Sequence, residues 1–168
     1  VLVFRAQTLT PSEQAALAHR LGEPLTFPLN SNGIPEELVT IASGPKTREA
    51  AGEGWHSDVS SEPRPPSLSI LKMATVPESG GDTLFADMSQ AFELLSDPLK
   101  AFLESLTARH EPRGHYLFLS GAKAFDALPI SDHPVVRIHP INGKKSLYVN
   151  DGFVTRINGL APRESQSL

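Results

Sequence analysis

The densest chemistry in the chain lies in Trp55-His56-Ser57-Asp58. In an extended segment residues i and i+2 share a face, so His56 and Asp58 project together. That sets an imidazole nitrogen beside a carboxylate oxygen. One neutral nitrogen donor with one hard anionic oxygen suits a divalent cation such as Fe(II) or Mn(II). With one more histidine the pair makes a facial triad, which leaves coordination positions open for substrate and dioxygen. His-x-Asp is short and arises in unrelated chains by chance; its surroundings give it weight. Gly52 and Gly54 precede it, and Pro63, Pro65 and Pro66 follow in a loop able to cover it. Downstream, Gly80-Gly81-Asp82-Thr83 sets a hydroxyl at a strand start, after a turn that exposes backbone. Taken alone, Thr83 reads as an ordinary strand residue of a hairpin. His19, on a helix, reads as a surface or packing residue.

Composition limits what this chemistry can serve. The 168 residues contain no cysteine, so disulfides, thiolate metal sites and cysteine nucleophiles are excluded. Fifteen Lys and Arg against nineteen Asp and Glu give a formal charge of −4. Nucleic-acid binders need a basic face to neutralise phosphates, so this balance argues against one. No apolar run approaches the roughly 20 residues of a membrane-spanning helix. The first residues, Val1-Leu2-Val3-Phe4-Arg5, lack the basic-then-apolar order of a signal peptide. These features point to the cytoplasm. The length suits one domain. Neither end reads as natural: an apolar run opens the chain and a helix start closes it, so the expectation is part of a larger domain.

The elements that must position the pair are short and frequently interrupted. Gly 12 and Pro 15 exceed ordinary usage and favour many short strands. Val1 to Phe4 reads as a buried strand. Thr10 caps a helix, with Pro11 in its first turn, Glu13 completing a capping box and Gly22 ending it. Strands are expected at Leu38–Ala42, Ser67–Ala74 and Thr83–Ala86. Asp87 or Ser89 begins a helix running to about Leu95, and Asp97-Pro98 begins another. Arg109 to Ser131 fits no period well, although Tyr116–Leu119 suits a short strand. His133–His139 reads as a strand, Ile141–Lys144 as a hairpin turn and Ser146–Val149 as the return strand. Asp151-Gly152 is a further turn. The sum is mainly β with helical inserts, a sandwich or jelly roll.

Five stretches, taken in order, carry a family resemblance. They are Val3-Phe4-Arg5 with Leu9-Thr10-Pro11 and Leu21-Gly22-Glu23-Pro24; Trp55 to Ser60; Pro77 to Phe85; His133 to Pro140; and Leu147 to Ile157. Their order and spacing resemble the TauD/TfdA family of Fe(II)- and 2-oxoglutarate-dependent dioxygenases, across residues 1–168 as a single domain. The resemblance implies a cupin-like double-stranded β-helix, incomplete in this chain, with Fe(II) held by His56 and Asp58. It implies that Thr83 binds a carboxylate of the cosubstrate 2-oxoglutarate, and that Val59 and Phe153 face the substrate. The implied reaction hydroxylates a small organic acid with dioxygen while 2-oxoglutarate is decarboxylated to succinate.

The chain also departs from the family pattern. The family's third ligand, a histidine, and its 2-oxoglutarate-anchoring arginine both lie further along than Leu168, so these residues alone are expected to be inactive. Arg137 and Arg156 fall in other family segments and do not take that role. Where taurine-cleaving members carry a histidine and a tyrosine near the sulfonate, this chain has Phe27 and Asn30. That replacement favours a less polar substrate among sulfonates, alkyl sulfates, aryloxyalkanoates and small amino-acid-like acids. His133 and His139 read as structural. Two other readings stand beside this one. One is a non-catalytic jelly-roll binding domain. The other is a cupin-type metal enzyme pairing His56 with His110 or His115, which otherwise read as loop residues. Oligomeric state is left open, a homo-oligomer included.

Overall fold

The computed structural model describes residues 1–26, 33–44, 47, 52, 54–112, 116 and 127–168. Phe27, Asn30, His115 and the segment 117–119 lie outside the described residues. The chain divides into two compact units, Val1–Glu53 with Arg113–Leu128, and Gly54–Pro112 with Pro129–Leu168.

In the first unit, helix α1 spans Pro11–Leu21 and begins as its sequence dictates. The Thr10 hydroxyl accepts from the Glu13 amide, and Glu13 Oε2 accepts from the Thr10 amide at 2.7 Å. Two otherwise orphaned donors are thereby satisfied. Gly22 closes the helix through its amide to the Ala18 carbonyl. His19 pairs with Glu37 at 2.7 Å, a surface role as expected. Residues 1–4 form no strand and are largely exposed. Leu38–Ala42 is likewise not a strand; Leu38 instead closes a turn onto the Pro35 carbonyl.

The second unit holds the sheets. Helices α2 (Met88–Glu93) and α3 (Asp97–Leu103) precede strand β1 (Thr107–His110). Asp87 caps α2, accepting from the Ser89 and Gln90 amides at 3.0 Å each. Strands β2 (Ser131–Pro134), β3 (Val136–Ile138), β4 (Lys145–Leu147) and β5 (Val154–Ile157) follow, with helix α4 (Pro162–Ser167) last. β1 lies between β2 and β5 in an antiparallel sheet, and β3 with β4 forms a separate hairpin. The expected strand over His133–His139 is thus two strands. It breaks at buried Val135 and passes from one sheet to the other. This break explains why two histidines of equal parity differ: His133 is buried, whereas His139 is exposed and caps the β3–β4 turn.

Leu103, Ala108, Val135 and Ile157 form the core, with Leu95, Leu99, Leu106 and Leu147 packed around them. Arg109 and Asp132 are register partners across β1 and β2 and share a two-pronged pair at 2.9 and 3.1 Å. Ser67–Ala74 and Thr83–Ala86 have apolar alternation, yet join no sheet among the described residues. Alternation specifies one face for burial; a ladder also needs a partner strand. Leu68, Leu71, Leu84 and Phe85 accordingly stay exposed. Among the described residues no helix is long and apolar enough to cross a membrane.

Burial separates the residues that hold this unit together from those that do not. Leu103→Ala should cost about 2–5 kcal/mol, the usual range for truncating a buried leucine. Ile141→Ser, at a residue 90% exposed, should shift stability by no more than about 0.5 kcal/mol. Urea unfolding of both variants checks the contrast.

Candidate metal centre

His56 and Asp58 do converge, though not on a paired strand. They occupy an extended piece that enters a turn at Asp58. His56 Nε2 lies 3.3 Å from Asp58 Oδ1. His56 Nδ1 lies 3.0 Å from the Gly54 carbonyl. A carbonyl only accepts, so Nδ1 carries a proton; in the neutral ring Nε2 then presents its lone pair. An imidazole lone pair and a carboxylate oxygen then face the same point. Two acceptors at that distance repel unless a proton or a cation lies between them. The Ser69 hydroxyl donates to Asp58 Oδ2, which turns the other oxygen, Oδ1, toward His56. Partners of this kind orient metal ligands and fix their tautomer. The donor set, one neutral nitrogen and one anionic oxygen, therefore fits a divalent cation with mixed preferences. Among the described residues no group of three metal-ligating side chains occurs, so the pair supplies two donors.

The turn bearing the pair is strained and tightly fastened. Val59 has φ +43°, an outlying conformation for a β-branched residue. Such backbone costs on the order of 1–3 kcal/mol and persists only where its surroundings enforce it. The next three residues are each tied down by the sheet. Ser60 Oγ lies 2.9 Å from His110 Nδ1 on β1. The Ser61 carbonyl accepts from Ser131 Oγ at 2.8 Å, and the Glu62 carbonyl from His133 Nε2 at 3.0 Å. On the opposite side the Gly152 amide donates to the Trp55 carbonyl at 3.2 Å. Gly152 is also a contact point: a Cβ there would sit 2.7 Å from His56 Cβ.

Hydrogen-bond arithmetic fixes the protons behind the turn. The Phe153 amide donates to Asn150 Oδ1 at 2.9 Å, so Asn150 Nδ2 is the group that faces Ser60 Oγ, at 3.3 Å. The Ser60 hydroxyl accepts there and keeps its own proton for His110 Nδ1. His110 is fully buried, and among the described residues its Nε2 meets no partner at full hydrogen-bond geometry. Its ring stacks on Tyr148 with centroids 5.3 Å apart and meets His133 edge-on at 5.0 Å. Burial first, and then the charge of His133, push the His110 imidazole down to about 4. The loop reading of His110 is thus corrected: it is a strand residue in the interior. His133 is structural, as its sequence context indicates.

The other expected site residues are distributed unevenly. Val59 adjoins Asp58 on the strained turn. Phe153 is buried, and its carbonyl accepts from the Glu111 amide beyond β1. Thr83 lies exposed on extended chain, and among the described residues no hydrogen bond joins it to the pair. Phe27 and Asn30 lie outside the described residues. A shallow pocket of about 210 Å³ opens beside Asp58, between the Pro66–Ser69 segment, Tyr148 and Arg137. The Arg137 guanidinium sits 4.4 Å over the Tyr148 ring. The sequence alone marks Gly152 only as a turn residue and gives Ser60 and Asn150 no site role. The available signal was polar: two serines directly after the donor pair, and an asparagine ending the Leu147-Tyr148-Val149 run.

Comparison with known proteins bears on the chain as a whole. The signature of the family described as "Taurine catabolism dioxygenase TauD, TfdA family" matches residues 1–168, and the chain belongs to that family. An alpha-ketoglutarate-dependent sulfonate dioxygenase of Saccharomyces cerevisiae is 44% identical over 119 residues, covering 68% of this chain and 28% of that protein. An alpha-ketoglutarate-dependent sulfate ester dioxygenase of Pseudomonas putida is 33% identical over 180 residues, covering 100% of this chain and 59% of that protein. The crystal structure of a taurine dioxygenase from Burkholderia xenovorans matches with a TM-score of 0.76 at 35% identity, covering 98% of this chain and 54% of that one. The chain therefore spans between 28% and 59% of the length of these relatives.

Two outcomes follow from this geometry. Gly152→Ala should push His56 aside and weaken divalent-metal binding by about tenfold or more, within the range for changes just outside a ligand set; isothermal titration with Mn(II) reads it. His110 titrates lower when folded than its ordinary 6.5. The unfolded chain therefore binds more protons between the two values, and stability rises with pH across that interval. The contribution is complete above about pH 6.5 and lost as pH falls toward 4, roughly 3 kcal/mol in all. Metal-free urea unfolding from pH 7 to 4 should show this slope in the wild type and a flatter one in His110→Asn.

Proposed function

We propose that the protein is an Fe(II)- and 2-oxoglutarate-dependent dioxygenase that hydroxylates a small organic acid. Residues 1–168 form part of a single jelly-roll, or double-stranded β-helix, domain. The observation that carries this reading is the facing lone pair of His56 and carboxylate of Asp58, 3.3 Å apart, in a chain of this family.

In this reading His56 Nε2 and Asp58 Oδ1 hold the iron, and a third donor comes from outside the described residues. The chemistry Fe(II) supplies when bound is oxidative: dioxygen is consumed, 2-oxoglutarate becomes succinate and carbon dioxide, and a substrate carbon is hydroxylated. The chain's own part is positional. Gly54 keeps the proton of His56 on Nδ1. Ser69 occupies the second oxygen of Asp58. Thr83 binds a carboxylate of 2-oxoglutarate through its hydroxyl, once brought to the pair. Val59 and Phe153 bound the substrate space.

Substrate class follows from charge and polarity. The relatives act, by their names, on a sulfonate, a sulfate ester and taurine. Arg137 beside the pocket next to Asp58 supports an anionic substrate here too. Phe27 offers no cationic partner and Asn30 no phenolic hydroxyl, which supports a substrate less polar than taurine, such as an alkyl sulfate or an aryloxyalkanoate.

Anaerobic titration of the full-length protein with Fe(II) and 2-oxoglutarate tests the reading. A weak visible charge-transfer band should form in the wild type and vanish in His56→Ala and Asp58→Ala, with succinate release in air falling to background in both. A wild type that forms no band would contradict the reading and favour a non-catalytic binding domain, and an Asp58→Ala that keeps it would contradict Asp58 as an iron ligand.

A further inference from the structure

The fastening behind the donor pair joins elements distant in sequence. Ser60 is the second residue after Asp58, its hydroxyl is wholly buried, and it bridges two elements distant in sequence. Asn150 reaches it from the loop before β5, and His110 from β1. That loop also touches His56 directly, through the close approach of Gly152 and the bond from the Gly152 amide to the Trp55 carbonyl. The buried hydroxyl and the Gly152 contact together tie both ends of the donor segment to β1 and the loop before β5. Between Asp58 and Ser60 stands Val59, in a backbone conformation that a valine does not hold unaided.

We propose that the buried Asn150–Ser60–His110 hydrogen-bond chain is the positioning device of the metal centre, holding the Val59 turn so that Asp58 faces His56. This rests on the reading of the pair as the iron site. The three residues touch neither metal nor substrate and act through the turn. His110 is the outer anchor. Neutral and buried, it offers Ser60 an acceptor that cannot be exchanged for water. A side chain with an acceptor at the same place should serve; one without should not. Asparagine places a carbonyl oxygen close to where histidine places Nδ1, whereas leucine fills the volume without it.

The test compares Fe(II) affinity with thermal stability in the full-length protein, for Ser60→Ala, His110→Leu and His110→Asn, with Leu103→Ala as a purely structural control. Ser60→Ala and His110→Leu should weaken Fe(II) binding by about 10- to 100-fold, the range for groups that orient ligands. His110→Asn should stay within about threefold of wild type. Leu103→Ala should lower the melting temperature at least as much as Ser60→Ala while leaving Fe(II) affinity near wild type. Wild-type affinity in Ser60→Ala overturns the proposal. So does an affinity loss that follows melting temperature across all four variants, or a His110→Asn as weak as His110→Leu. A wild type that takes up no Fe(II) overturns the metal reading itself, and this proposal with it.

Discussion

Two acceptors that face each other at 3.3 Å need something positive between them. Oδ1 of Asp58 and Nε2 of His56 are such a pair in the neutral imidazole whose Nδ1–H donates to the Gly54 carbonyl. Their mutual repulsion must be offset by the chain that holds them. The surrounding structure can be read as the means of doing so. Strain sits in the turn at Val59, and the hydrogen bonds sit immediately after it, on Ser60, Ser61 and Glu62. A closed tie at this point holds the turn that carries Asp58 against the sheet.

The tie in turn depends on the β2–β1–β5 sheet. His110, Ser131 and His133 reach the turn from β1 and β2, so the sheet must have one register for all three bonds to form. The pairing of His110 with Ser131 and of Ala108 with His133 sets that register. Ala108, without accessible surface, and Ile157, nearly so, lock the same sheet onto Leu103. A slip of one residue would turn His110 to the other face. The irregularity between β1 and β5 at Arg109 and His110 falls beside the same ring. Bulges are frequent near functional sites because they re-aim a side chain.

Local chemistry was legible in the sequence, and partnerships were not. The α1 capping box, the Asp87 cap, the turn at Ile141–Lys144 and the donor pair each depend on residues a few positions apart. The return strand was shorter than expected, Lys145–Leu147, because pairing ends where β3 ends. Strand alternation at Ser67–Ala74 and Thr83–Ala86 was visible, but nothing in a local window states which strand completes the ladder. Strand β1 escaped notice because Thr107–His110 alternates buried alanine and histidine with exposed threonine and half-buried arginine. A histidine on the inner face does not look like core. Ser60 was unreadable for a related reason: its partners lie 50 and 90 residues away.

Anomalous diffraction at the iron edge, on anaerobic crystals of the full-length protein soaked in Fe(II) and 2-oxoglutarate, tests the central claim most directly. A peak within coordination distance of both His56 Nε2 and Asp58 Oδ1, with the His56–Gly54 bond intact, is the predicted result. A peak that excludes either side chain, or no peak at the pair, would contradict it.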